Sequence, residues 1–152
     1  MATAVQSQTT SHRFDDRNIQ WRELGDFKHM VASIFLVDEE KNIVDFIIKF
    51  DPNEKVLLHR HLAVTNTFVV EGEHRIYEPD GQLREVRPVG QYIFSTGGDA
   101  HNEGGGPNGG IVYYTVRGTT DALFDVLDAD LNIVATLRTS DFKAAFDAQK
   151  QS

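Results

Sequence analysis

The sequence predicts an all-β domain, an antiparallel sandwich or barrel that ends in one short helix. Three observations predict it. About ten short apolar runs of strand length follow one another. Turn chemistry, with no helical pattern, separates them, which disfavours a parallel α/β sheet. The period changes only near the end, where Phe142, Ala145 and Phe146 fall at i, i+3 and i+4.

The elements follow in order. Residues 1–13 are rich in Ser, Thr and Gln and too poor in large apolar groups to offset their ordering entropy, so they read as a flexible arm ahead of a domain over 14–152. Residues 30–37 are apolar on both alternating faces, which predicts a strand covered on both sides, its outer face by a second copy in a homodimer. Residues 43–50 alternate, with Val44, Phe46, Ile48 and Phe50 on one face and Asp45 and Lys49 on the other. Further strands are expected at 56–61, 67–73 and 76–78, then a hairpin turn at Pro79-Asp80-Gly81-Gln82 into 83–86. After 91–95 comes the glycine-rich stretch 97–110, and 111–117 is a strong β run. Strands 124–127 and 133–137 form one more hairpin, and Ser140 is the expected cap of a helix over 141–148.

Composition removes several classes of function. The formal charge of −8 over 152 residues, with no Lys or Arg run, argues against nucleic acid. No stretch is apolar enough to span a membrane, and the first residues have neither the basic start nor the apolar core of a signal peptide, so a cytoplasmic protein is expected. With no cysteine, disulfides, thiolate metal sites and cysteine nucleophiles are excluded.

Chemistry concentrates at the histidines. His59 and His61 sit at i and i+2 of a strand, on one face and about 6–7 Å apart, where two imidazoles can converge on one cation at about 2.0–2.1 Å. Gly90, Thr96, Gly98 and His101 then form G-x5-T-x-G-x2-H, in which the glycines allow a sharp turn that aims a third imidazole back. His12, His29 and His74 read as surface or structural residues. Glu71 and Glu73 read as solvated charges, while Glu103 is the spare carboxylate if a fourth ligand or a base is needed. Tyr113, Thr115 and Arg117 share one face of their strand and line a pocket if that face looks inward; if it looks outward, Tyr114 does. Residues 104–110 read as a long hairpin loop or as a lid over the site.

Over 46–117 these motifs resemble the cupin family, small jelly-roll barrels with a metal in the barrel. His59 and His61 match the family's paired ligands, Gly72 the closing glycine of its first motif, His101 its third histidine, and Gly90 and Gly98 the glycines of its second motif. Thr65 stands where many cupins place a metal-binding Glu, Thr96 replaces the usual proline, and Gly105 replaces the final asparagine. The resemblance therefore implies a jelly-roll barrel with a shell of three neutral histidines that leaves the metal's full +2 charge uncompensated, a centre suited to bidentate anionic oxygen ligands. Within the family the chain is similar to the acetylacetone-cleaving and hydroxyacetophenone-cleaving enzymes. That likeness implies Fe(II) and O2 cleaving a carbon–carbon bond of a small diketone or hydroxyketone. Phe68, Phe94 and Tyr113 are the expected pocket residues, and Thr65 is expected to hydrogen-bond a water on the metal. Two other classes stay open: a Zn, Ni or Mn isomerase or hydrolase, and a non-enzymatic small-molecule-binding barrel or sensor.

Overall fold

The computed structural model describes residues 2–3 and 12–151. Its strands are β1 (Met30–Asp38), β2 (Ile43–Phe50), β3 (Lys55–His61), β4 (Val64–Tyr77), β5 (Leu83–Pro88), β6 (Tyr92–Ser95), β7 (Ala100–Arg117), β8 (Ala122–Leu127) and β9 (Ile133–Arg138), followed by the helix α1 (Thr139–Lys150). They join in one antiparallel nine-stranded sheet of order β1-β2-β7-β3-β8-β9, with β4 adding β5, β6 and a second partner for β7. The arm expected over 1–13 lies mostly outside the described residues.

The long strand β7 organises the barrel. Its C-terminal half pairs β2 on one edge and β4 on the other, so that Tyr114 stands between Phe46 and Thr67. Its N-terminal half pairs β3 and the far end of β4. Alternation then builds the core as the β2 pattern predicts: Val44, Phe46, Ile48 and Phe50 join Val112, Tyr114 and Val116 inside. Phe142 of α1 stacks on Phe46 at 5.5 Å and meets Phe124 at 5.9 Å, holding the helix against that core.

Three expectations change. Residues 104–110 do not form a separate hairpin loop but lie within β7, where 106–109 bulge out between the Gly105–His74 and Gly110–Gly72 pairs. A Cβ at Gly104 would strike the Glu54 carbonyl, one at Gly110 that of Glu73, and one at Gly105 would stand 2.6 Å from the Gly109 backbone. The glycines let three strands close on one another. The strands expected at 67–73 and 76–78 are one strand, β4, kept continuous by a bulge at Gly72 with φ +64°. Ser140 lies within the first turn of α1, and the Arg138 N–H donates to the Asp141 carboxylate at 2.7 Å instead. In the single chain Phe35 and Leu36 of β1 are each 46% exposed.

Candidate metal centre

Two strands, β3 and β7, deliver the candidate ligands. His59 and His61 share the inward face of β3, and His59 is directly opposite His101 of β7. The turn before His101 depends on Gly97, φ +90°, where any Cβ would lie 2.5 Å from the His61 carbonyl oxygen. That same carbonyl accepts the Gly98 N–H at 3.0 Å, which ties the turn to the ligand strand. Two residues beyond His101, on the same face, Glu103 brings a carboxylate. One donor atom from each of His59, His61, His101 and Glu103 lies within 4.8 Å of the others.

Hydrogen bonds decide which ring nitrogen each histidine offers. A bulge in β3 holds Leu57 at φ +40° and turns its carbonyl onto His59, whose Nδ1–H donates to it at 2.8 Å. The Thr65 hydroxyl donates to the Ala63 carbonyl, so it accepts from His61 Nδ1–H at 2.8 Å. Both rings therefore present Nε2 lone pairs, and these face one another at 3.0 Å. Two lone pairs at that distance repel unless a proton or a metal ion lies between them. Glu103 Oε2 stands 3.3 Å from His59 Nε2 and 3.5 Å from His101 Nε2. Donors held about 2.1 Å from one ion stand about 3.0–3.4 Å apart in octahedral or tetrahedral geometry. The donor set fits one divalent metal.

The electrostatics favour a cation at the cluster: burial opposes charge on His59, but Glu103 outweighs it and raises that ring's affinity for a proton, which competes with a metal there. Burial pushes the Glu103 carboxyl up, but its contacts with His101, His59 and His74 outweigh burial and hold it well below the usual carboxylate range. Burial, then the neighbouring His59, pushes His61 down to about 3, so it stays neutral as a ligand must. Tyr114 donates its hydroxyl to Glu103 Oε1, and burial first and that carboxylate second push its own proton affinity well up.

Glu103 corrects the all-histidine shell that the resemblance implied, for the carboxylate arrives from β7 instead of from the Thr65 position. Thr65 holds His61 rather than facing an open coordination position. Phe68, Phe94 and Tyr113 do not line the cavity beside the cluster. All three lie on the outer face, where Phe68 pairs with Tyr113 and with Tyr92, and Asn66 with Phe94; Phe68 is 39% and Phe94 60% exposed. The inward positions of β4 are Thr65, Thr67 and Val69, so Tyr114 takes the place inside. His74 comes closer than expected: the Gly72 bulge turns it inward, 1% exposed, with Nε2 3.6 Å from Glu103. No period-2 count across that glycine could have placed it. Leu24 and Phe27, from a stretch with no strand pattern, line an apolar cavity with Met30, Phe46, Val56 and Phe124, and His59, His61 and Glu103 form its polar wall.

A curled antiparallel barrel with a buried imidazole–carboxylate cluster defines a cupin with a centre suited to one metal ion. The chain belongs to the ChrR cupin-like domain family, whose model matches residues 9–121. In structure it is similar to an acetylacetone dioxygenase from Acinetobacter johnsonii, with TM-score 0.70, 13% identity, and 98% of this chain and 99% of that one covered. It is also similar to an RmlC-like cupin protein from Ralstonia eutropha, with TM-score 0.74, 16% identity and coverage of 94% and 89%. The polyketide cyclase RemF from Streptomyces resistomycificus follows at TM-score 0.54, 19% identity and 85% of each chain. No curated protein sequence matches the chain. At these identities the likeness to solved structures is one of fold. Among the described residues no helix is long and apolar enough to cross a membrane.

Proposed function

We propose that the protein is a mononuclear metal-dependent dioxygenase that splits a carbon–carbon bond of a small diketone or hydroxyketone bound as its anion. The observation that carries this reading is the opening of the buried His59, His61, His101 and Glu103 cluster onto an apolar cavity. That cavity, about 60 Å³ on a scale where one water takes about 10–15 Å³, suits a ligand of a few heavy atoms. Phe46, Phe124 and Phe142 exclude water there, which favours an enolate held by charge over a solvated one. With Glu103 among the donors, a divalent ion keeps one positive charge, and one monoanionic chelator neutralises it. The similar acetylacetone dioxygenase supports the same substrate class. Iron, when bound, supplies the one-electron chemistry through which dioxygen reacts with an electron-rich carbon.

The carboxylate in the shell suits Zn(II), Ni(II) or Mn(II) as well, and with those ions the barrel would run an isomerisation or hydrolysis without oxygen. An oxygen electrode separates the two. Protein purified anaerobically and loaded with one iron per chain is expected to consume one O2 per substrate, releasing one carboxylic acid and one α-ketoaldehyde from acetylacetone, or two carboxylic acids from a small hydroxyketone. Ketone turnover without oxygen uptake would favour the second reading, and no turnover with any metal would overturn both. We further propose a homodimer through the outer face of the sheet, supported by the exposed Phe35, Phe68, Tyr92 and Phe94.

A further inference from the structure

The metal-binding cluster is a wall between two cavities. On the side away from the apolar one lies a polar cavity, also about 60 Å³, which shares His61, Glu103 and Tyr114 with it. Three atoms in its lining are buried without a hydrogen-bond partner: Thr67 Oγ1, His74 Nδ1 and Arg87 Nε. Only one other such side-chain atom, Asp45 Oδ1, occurs among the described residues. Buried polar groups are rarely left unpaired, so three around one cavity mark a place shaped for a polar guest.

Strand register makes the grouping. His74 of β4 is directly opposite Arg87 of β5, and Thr67 shares the inward face with Tyr114. The neighbouring cation is already spent: Arg84 bonds Glu78 at 2.7 and 2.8 Å and also pairs with Asp99. Arg87 gives one terminal nitrogen to Glu85 at 3.0 Å and keeps Nε–H free, with its side chain only 14% exposed. His74 Nε2 stands 3.4 Å from the Tyr114 oxygen and 3.6 Å from Glu103 Oε1; Tyr114 spends its own proton on Glu103, so the His74 proton belongs on Nε2. Nδ1 is then an acceptor. The cavity thus offers one cationic donor, one hydroxyl and one acceptor, with Glu103 and Asp99 nearby to disfavour a dianion such as phosphate.

We propose that this polar cavity is a subsite for a small 2-hydroxycarboxylate group, with Arg87 Nε and the Thr67 hydroxyl donating to the carboxylate and His74 Nδ1 accepting from the hydroxyl. The subsite goes beyond the diketone reading and needs no oxygen chemistry.

The test is calorimetric titration of zinc-loaded protein, a redox-silent form, with glycolate, acetate and the uncharged glycolamide. Glycolate is expected to bind saturably, acetate more weakly, and glycolamide not at all. Arg87→Gln and the isosteric Thr67→Val are each expected to weaken glycolate by about tenfold or more, with one zinc per chain retained. The valine variant guards against a folding artefact, because it keeps volume and changes only the hydroxyl. Unchanged affinity in both variants would mean that glycolate merely chelates the metal, and would overturn the proposal. Equal binding of glycolamide, or no saturable binding at all, would do so too. Glycolate binding in protein that turns over no ketone leaves the subsite standing, whereas ketone turnover without glycolate binding removes the subsite alone.

Discussion

Thr65 and Leu57 choose which nitrogen the paired histidines offer, so the affinity of the centre rests on two residues that carry no metal ligand. Thr65→Val keeps the volume and removes the acceptor for His61 Nδ1–H. The expected result is a loss of about 10–100-fold in metal affinity, read by chelator competition, with the melting temperature of the metal-free protein little changed. His101→Ala is expected to abolish stoichiometric metal binding. Acid is expected to act on the metal-free protein through the same cluster. His61 is pushed down to about 3 from 6.5, so between those values the unfolded chain takes up a proton that the fold refuses. Stability then falls as pH drops through that window, by at most about 1.4 kcal/mol per pH unit for that proton. Glu103, held well below 4.5, adds loss in the same direction once pH passes below 4.5. His59 has a raised value, through Glu103 acting against the larger effect of burial, so its contribution is complete below 6.5 and is lost only as pH rises through the raised value. Urea midpoints measured from pH 7.5 to 4 check the sign, and a flat series contradicts it. The three histidines of the cluster were legible in sequence because strand spacing and the glycine turn are local. Glu103 was legible only as a spare carboxylate, since its role depends on which face of β7 turns inward. His74 was illegible, because the bulge at Gly72 resets the alternation.

At the scale of elements, β7 is where sequence reasoning and structure part. Its first half is rich in glycine, which reads as a loop when only local propensity is weighed. The structural reason for those glycines is close approach: Cβ atoms at Gly104 and Gly110 would meet the backbone of Glu54 and Glu73, and at Gly105 the bulged 106–109 brings the Gly109 backbone of the same strand close. By contrast β2 was legible end to end, because one edge-to-edge alternation of large apolar and polar residues leaves a single inward face. A lid and a strand make opposite forecasts. Gly105→Ala, whose Cβ would stand 2.6 Å from the Gly109 backbone, is expected to cost about 1–3 kcal/mol in urea unfolding. In the wild type, amides of residues 110–116 and their bulge neighbours are expected to exchange slowly whether or not ligand is present. Fast exchange across 104–110 that slows on adding ligand would restore the lid.

For the whole molecule, the distribution of aromatic residues between the two faces of the sheet is the feature that a lone chain leaves unexplained. The inner face of β4 carries Thr65 and Thr67 next to the polar centre, while its outer face and that of β6 carry Phe68, Tyr92 and Phe94. Tyr113 stacks on Phe35 at 6.3 Å and carries the aromatic row across to β1. Edge-to-edge extension from β1 is hindered, because Gln149 of α1 occupies the Ile34 backbone at 2.8 and 3.0 Å. A second copy is therefore expected to stack on the face and not to add to the edge. A chain with a formal charge of −8 repels its own copy, so association is expected to strengthen with added salt, as apolar contact gains over screened repulsion. Phe94→Glu, at a position 60% exposed and away from the metal-binding cluster, is expected to shift sedimentation from twice 17.1 kDa to 17.1 kDa while metal content holds at one per chain. A wild type that sediments at 17.1 kDa at high concentration and high salt would leave that aromatic face to a different partner.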